Sequence, residues 1–156
     1  MNEQAQINTD FDLESEYKPD PLIPQGNYLG NITGVKYNPE NYGLTFIVTL
    51  ADNGGYMSDG ETPIDGGRVF KSVWFPKPED DKTMTSDGKK TKRQSKINML
   101  KEFAEVMELD MGTAEKLQEH LTNGDWIGIP VVASVEISEY QGRTTNPVNK
   151  MVRQKE

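Results

Sequence analysis

The side chains in this chain best suited to binding are aromatic and basic, and they recur in the same short stretches. Tyr37 and Tyr42 bracket a turn-forming run, with Lys36 just before it. Phe70 and Trp74 stand four apart in RVFKSVWF, a stretch that also carries Arg68 and Lys71. Tyr140-Gln141-Gly142-Arg143 has the composition of a tight turn, and Lys150 follows it. Lys89, Lys90, Lys92 and Arg93 crowd a single segment. Rings with an open face stack on flat ligands and on cations, and guanidinium or ammonium groups pair with phosphate.

Residues that would do covalent or acid–base chemistry are missing or unframed. Cysteine is absent, which removes disulfides, thiolate nucleophiles and thiolate metal sites. His120 is the one histidine, so a histidine-rich zinc site is excluded. Residues 51–67 are rich in glycine and acids, but they lack the aspartate spacing and closing bidentate glutamate of an EF-hand. Gly88-Lys89-Lys90 lacks the upstream glycine and the following hydroxyl of a phosphate-binding loop. No carboxylate pair sits in an acid/base or metal frame. The sequence therefore predicts no metal, no cofactor and no catalysis.

The net charge of -8 argues at first against a polyanionic partner, but the charge is unevenly placed. Residues 1–25 hold six acids and one base, whereas residues 86–96 hold five bases and one acid. A binder of single strands needs a locally positive groove, not a positive whole. Hydrophobic residues make up 34% of the chain, below the usual soluble share, so part of the chain is expected outside the core. The acidic residues 1–22 are predicted to be a disordered tail, and residues 23–156 one domain. Phe11, Leu13 and Tyr17 give the tail the character of an acidic, apolar docking segment. No apolar run approaches the roughly 20 residues of a membrane span, and no signal peptide opens the chain. The expected location is the cytoplasm, with no membrane partner.

Five strands and two helices must position these groups. Tyr28, Gly30 and Ile32 alternate on a first strand, with Gly34 as a bulge that resets the face to Val35. Leu44, Phe46, Val48 and Leu50 share one face of the second strand. Residues 51–67 read as a mobile loop. Residues 68–75 form the third strand, with apolar residues on both faces. Burial of its valines would display Phe70 and Trp74. Residues 76–94 read as a structureless link ending in a flexible basic flap. Ser95 is the expected N-cap of a helix over 95–109, with Ile97, Leu100, Phe103, Ala104 and Met107 on one stripe. A short helix over about 113–121 would turn Ala114, Leu117 and Leu121 inward and leave His120 exposed. Residues 126–153 then form a hairpin. Val131, Ala133, Val135 and Ile137 share one face of its first strand. Gly142 supplies the positive φ of a type II turn, and the second strand starts at Pro147 or lies at an edge.

This order predicts a mainly β fold with α: a five-stranded, OB-like antiparallel barrel with a helix between strands 3 and 4. An open α+β sheet is the alternative. In an OB barrel the strand 2–3 face and the loops 1–2 and 4–5 bind ligands, which would gather Tyr37, Tyr42, Tyr140 and Arg143 around one site.

The chain also resembles a known group. PLIPQGNYLGNITGV, GRVFKSVWF and VEISEYQGRTTNPVNK are similar to a family of small bacteriophage proteins, some classed as a domain of unknown function. Its members are treated as OB-fold single-stranded-DNA-binding or replication-accessory proteins. The likeness spans about residues 11–153 and rests on Gly26, Tyr28, Gly67, Arg68, Tyr140, Gly142, Arg143 and Asn146, while residues 51–67 and the lysine-rich link look like insertions. It implies single-stranded-DNA binding in phage replication or recombination, in the host cytoplasm. Stacking would fall to Tyr37, Tyr42, Phe70, Trp74 and Tyr140. Phosphate contacts would fall to Lys36, Arg68, Lys71, Lys89, Lys90, Lys92, Arg93, Arg143 and Lys150. The tail would recruit a replication or recombination protein. The rival expectation is a protein-interaction module that binds a replication or defence protein.

Overall fold

The computed structural model describes residues 10–155, so the first nine residues of the expected tail lie outside the described residues. The chain runs α1 (Leu13–Glu16), β1 (Gly26–Asn38), β2 (Gly43–Leu50), β3 (Arg68–Trp74), a 3-10 turn (Pro78–Lys82), α2 (Lys92–Met107), α3 (Ala114–Asn123), β4 (Pro130–Val135), β5 (Ser138–Tyr140), β6 (Arg143–Thr145) and β7 (Val148–Arg153). The fold is mainly β. Five antiparallel strands in the order β3-β2-β1-β4-β7 curl into a half-barrel, and β5 and β6 form a separate two-stranded ladder. The result lies between the closed barrel and the open sheet. The edge strands β3 and β7 share no ladder, but Lys71 on β3 reaches across and donates to the Asn149 carbonyl on β7 (3.3 Å).

The core follows the alternation of β2. Leu44, Phe46, Val48 and Leu50 are all buried, and Phe46 is its centre. Its ring lies 5.3 Å from Phe103 of α2 and 5.9 Å from Trp126. Ile32, Val131, Ala133, Val135, Met107 and Met151 close around it. The bulge in β1 appears as a register slip between Ile32 and Gly34 against β2. Gly30 lets β1 press onto β2: a Cβ there would fall 2.7 Å from Val48 Cγ1 and 2.8 Å from the Thr49 carbonyl oxygen.

Several expected elements differ. Residues 51–67 form an ordered loop. Ile64 is buried, and the Asp65 carboxylate accepts the backbone N–H groups of Gly54 (2.8 Å) and Asn53 (3.0 Å). Those donors, Gly54 first, hold its pKa below the ordinary value. The link 76–94 is not structureless either. It contains the 3-10 turn and a β-bridge between Met84 and Thr91. Buried Asp80 accepts from Lys96 Nζ (2.6 Å) and from the Lys77 backbone N–H (2.8 Å).

Helix α2 starts earlier than Ser95, because Thr91 caps it by accepting the Gln94 N–H. Lys92 and Arg93 therefore belong to its first turn, where cations oppose the helix dipole; this hides the start in the sequence. Ile97 stays 37% exposed. On α3, Leu117 and Leu121 pack against the core, but Ala114 is exposed. His120 is half-buried instead of exposed: it stacks on Trp126 (5.5 Å), and its Nδ1 lies 2.8 Å from Asp125.

The final hairpin breaks into two ladders after Val135, which leaves Ile137 47% exposed. Its turn is type I′ instead of type II, since both Gln141 (φ 50) and Gly142 (φ 76) are left-handed. That hand matches the twist of paired strands. Ahead of the sheet, residues 13–16 make one helical turn capped by Asp12 where no period was expected. Among the described residues no helix is long and apolar enough to cross a membrane.

Candidate functional site

Pairing register decides which residues share a surface, because directly opposed residues on neighbouring strands point the same way. Val69 lies opposite Val48 and is buried. Phe70 therefore points outward beside Ile47, and Trp74 points outward beside Gly43. Both rings are half exposed, at 53% and 50%. The Trp74 ring lies over Gly43, where a Cβ would come within 3.3 Å of its Nε1.

The same outer rows bring bases between the rings. Lys36 of β1 lies opposite Thr45, which lies opposite Ser72, midway between Phe70 and Trp74 along β3. Arg68 continues the outer row beyond Phe70 and is exposed. Phe70 and Trp74 are four residues apart, roughly 13 Å of strand. Lys36 stands two strands over, roughly 10 Å to the side. Across the seam, Lys150 is exposed on β7 beside Asn149, the residue that Lys71 reaches. The remaining outer positions of β2 and β3 are Thr45, Ile47, Thr49 and Ser72, so this face carries no carboxylate. Thr33 and Thr49 hydroxyls pair at 2.9 Å, and Thr45 and Ser72 at 2.8 Å. Sequence reasoning missed these hydroxyls and Ile47, although the alternation of the second strand already turned them away from the core.

The other expected residues lie elsewhere. Lys71 faces the core side opposite Phe46 and is engaged in the seam, so it is separated from the outer face. Tyr37 and Tyr42 sit at the Trp74 end of the sheet but turn toward the helices. Tyr37 packs on Phe75 (5.6 Å), and both tyrosines line an apolar cleft of about 790 Å³ against α2 and α3. Lys92 and Arg93 occupy the first turn of α2, and Lys89 and Lys90 the tight turn before it. They are not a flexible flap on the aromatic face.

Tyr140 and Arg143 project from the β5–β6 ladder, with Tyr140 74% exposed. That ladder rises from the opposite end of the sheet, because β4 runs from Asn31 back to Gly26 of β1. The two loop clusters are thus at opposite ends of a strand of 13 residues and do not form one ring of aromatics. Asn146 fixes the base of the ladder. Its side chain accepts from the Ile23 N–H (2.8 Å) and donates to the carbonyls of Ile23 (2.8 Å) and Glu136 (3.0 Å). Ile23 in turn packs near Gly67, where β3 begins, so the ladder stands at the Arg68 end of the face.

Among the described residues no cluster of acids and histidine is arranged to hold a metal ion. No protein-family model matches the chain, and no curated protein matches it.

Proposed function

We propose that the chain is a sequence-tolerant single-stranded-DNA-binding protein of the OB type, acting in phage replication or recombination in the host cytoplasm. The observation that carries this reading is the outer face of β2 and β3. It alternates exposed ring and base from Trp74 through the Lys36 row and Phe70 to Arg68, free of carboxylates, in a chain whose net charge is -8. A strand face with rings at such spacing suits unpaired bases, which stack at roughly 1–3 kcal/mol each, while bases at its margins follow the phosphates. Lys150 flanks the seam side, and Tyr140 and Arg143 stand where a strand would leave the Arg68 end. The strand order, the curl and the helices between β3 and β4 support the OB assignment.

The test is an anisotropy titration with labelled oligo-dT on wild type and on the double variant Phe70→Ala, Trp74→Ala. Loss of binding by the double variant, with the fold intact, supports the reading. Unchanged binding removes the face from it. The apolar cleft beneath α2 and α3 favours a second role, protein interaction, carried by a separate surface.

A further inference from the structure

The cleft beside α2 and α3 has a chemical complement elsewhere in the same chain. Its walls include Tyr37, Phe75, Leu100, Met111 and Leu117. A smaller depression shares Tyr42 and Pro76 with it and carries Lys77 and Arg93 against the single acid Asp81. Lys77 and Arg93 make no salt bridge within 4 Å among the described residues, and Lys89, Lys90 and Lys92 crowd the helix start beside them, where Asp80 and Asp87 offset part of their charge. This end of the molecule therefore offers an apolar slot with a basic rim.

The complement is residues 11–17. They carry Asp12, Glu14 and Glu16 and no base. Phe11, Leu13 and Tyr17 are 53%, 76% and 73% exposed. The Asp12 cap pre-forms a helical turn, and Leu13 and Tyr17, four apart, fall on one side of it. Three exposed apolar side chains on an acidic turn match an apolar slot with Lys77 and Arg93 at its edge.

The turn cannot seat as a unit, with Leu13 and Tyr17 together, in its own cleft. Leu22 is fixed to Ser58: its N–H donates to the Ser58 hydroxyl and its carbonyl accepts the Ser58 backbone N–H (2.8 Å each), at the end of the sheet where β3 begins. Tyr17 lies five residues before it, at most about 18 Å of chain. Phe75, at the near wall of the cleft, is eight residues and about 26 Å up β3 from Gly67.

We infer that residues 11–17 of one molecule dock into the α2–α3 cleft of a second copy. Donor and acceptor lie at opposite ends of the sheet, so the contact is heterologous and propagates head to tail instead of closing as a twofold dimer. A seven-residue donor buries little area, which makes the contact transient and concentration-dependent. Such an array would space copies along a common strand, but the contact itself requires no DNA.

Sedimentation velocity of the full chain without DNA, over a concentration series at low and high salt, tests this. The wild type gains mass beyond a dimer as concentration rises, and less so at high salt, where the acid–base part is screened. Phe11→Ser, Leu13→Ser and Tyr17→Ser together, all at exposed positions, weaken association at least about tenfold. Ile97→Glu with Arg93→Glu does the same from the acceptor side, and Arg93→Glu alone serves if the pair lowers thermal stability. An equimolar mixture of donor-dead and acceptor-dead variants regains one contact and stops at a dimer. A monomeric wild type at every concentration overturns the inference, as would a tail held within its own molecule. So would variants that associate like wild type, or a mixture as inert as its components.

Discussion

At the level of single residues, Phe70 and Trp74 carry the proposed binding, and Val69, just before Phe70 and on the opposite face, carries stability. Trp74→Ala and Phe70→Ala should each weaken oligo-dT binding by roughly 1–3 kcal/mol, with little change in Tm, since both rings are half exposed. Val69→Ala, one residue away but fully buried, should instead cost roughly 1–3 kcal/mol in denaturant unfolding and leave the affinity of the folded protein unchanged. Which of these two sets is buried was not legible in the sequence. Both faces of RVFKSVWF carry apolar residues, and the choice is made by long-range register: Val48 selects Val69, and Ile47 selects Phe70. Asp80 makes a different residue-level prediction. The hydrogen bond from Lys96, then that from the Lys77 backbone, holds its carboxyl below the ordinary value. A depressed folded pKa gives stability that is present above the unfolded value, about 3.9, and is lost as pH falls through the folded one. Thermal melts should therefore show Asp80→Asn less stable than wild type at neutral pH, with the gap narrowing below the ordinary carboxylate range.

The individual elements differ in how far local pattern exposes them. The second strand could be read directly, because strict alternation with a buried face leaves one consistent assignment. The start of α2 could not, because Lys92 and Arg93 are poor first-turn residues and Thr91 alone marks the cap. The same cations looked like a loop flap in sequence, yet they stand at the helix end beside the cleft. The salt dependence of DNA binding separates these placements. Lys36→Ala with Arg68→Ala should flatten the log–log slope by about 1.4, at about 0.7 per phosphate for single strands. Lys89, Lys90, Lys92 and Arg93 changed together to Ala should leave that slope within error. Gly30 sets a packing limit on β1. Gly30→Ala should destabilise the fold by roughly 1–3 kcal/mol, because neither the Val48 methyl nor the Thr49 carbonyl in contact with the new Cβ is a free chain end.

Over the whole molecule, the half-barrel separates three surfaces that the linear sequence places side by side. The five strands of the main sheet, the site of the helices and the core of β2 were legible because each is a local pattern, whereas the separate β5–β6 ladder was not. The separation of Tyr37 and Tyr42 from Tyr140 was not legible, because it depends on where loops leave a curled sheet: β4 runs back along β1 and carries its hairpin to the far end. The outer face holds Phe70, Trp74, Lys36 and Arg68, one end holds the apolar cleft with Lys77 and Arg93 at its edge, and the other holds the projecting ladder and Leu22, the anchor of the acidic segment. The proposed function rests on unpaired bases stacking on the outer face. Its most direct test is competition between labelled oligo-dT and the matching duplex, titrated against wild type and the Phe70→Ala, Trp74→Ala double variant. Wild type should strongly prefer the single strand and the double variant should lose that preference, because stacking needs base faces that a duplex hides. Equal or tighter binding of the duplex by wild type, or an undiminished preference in the double variant, would contradict it.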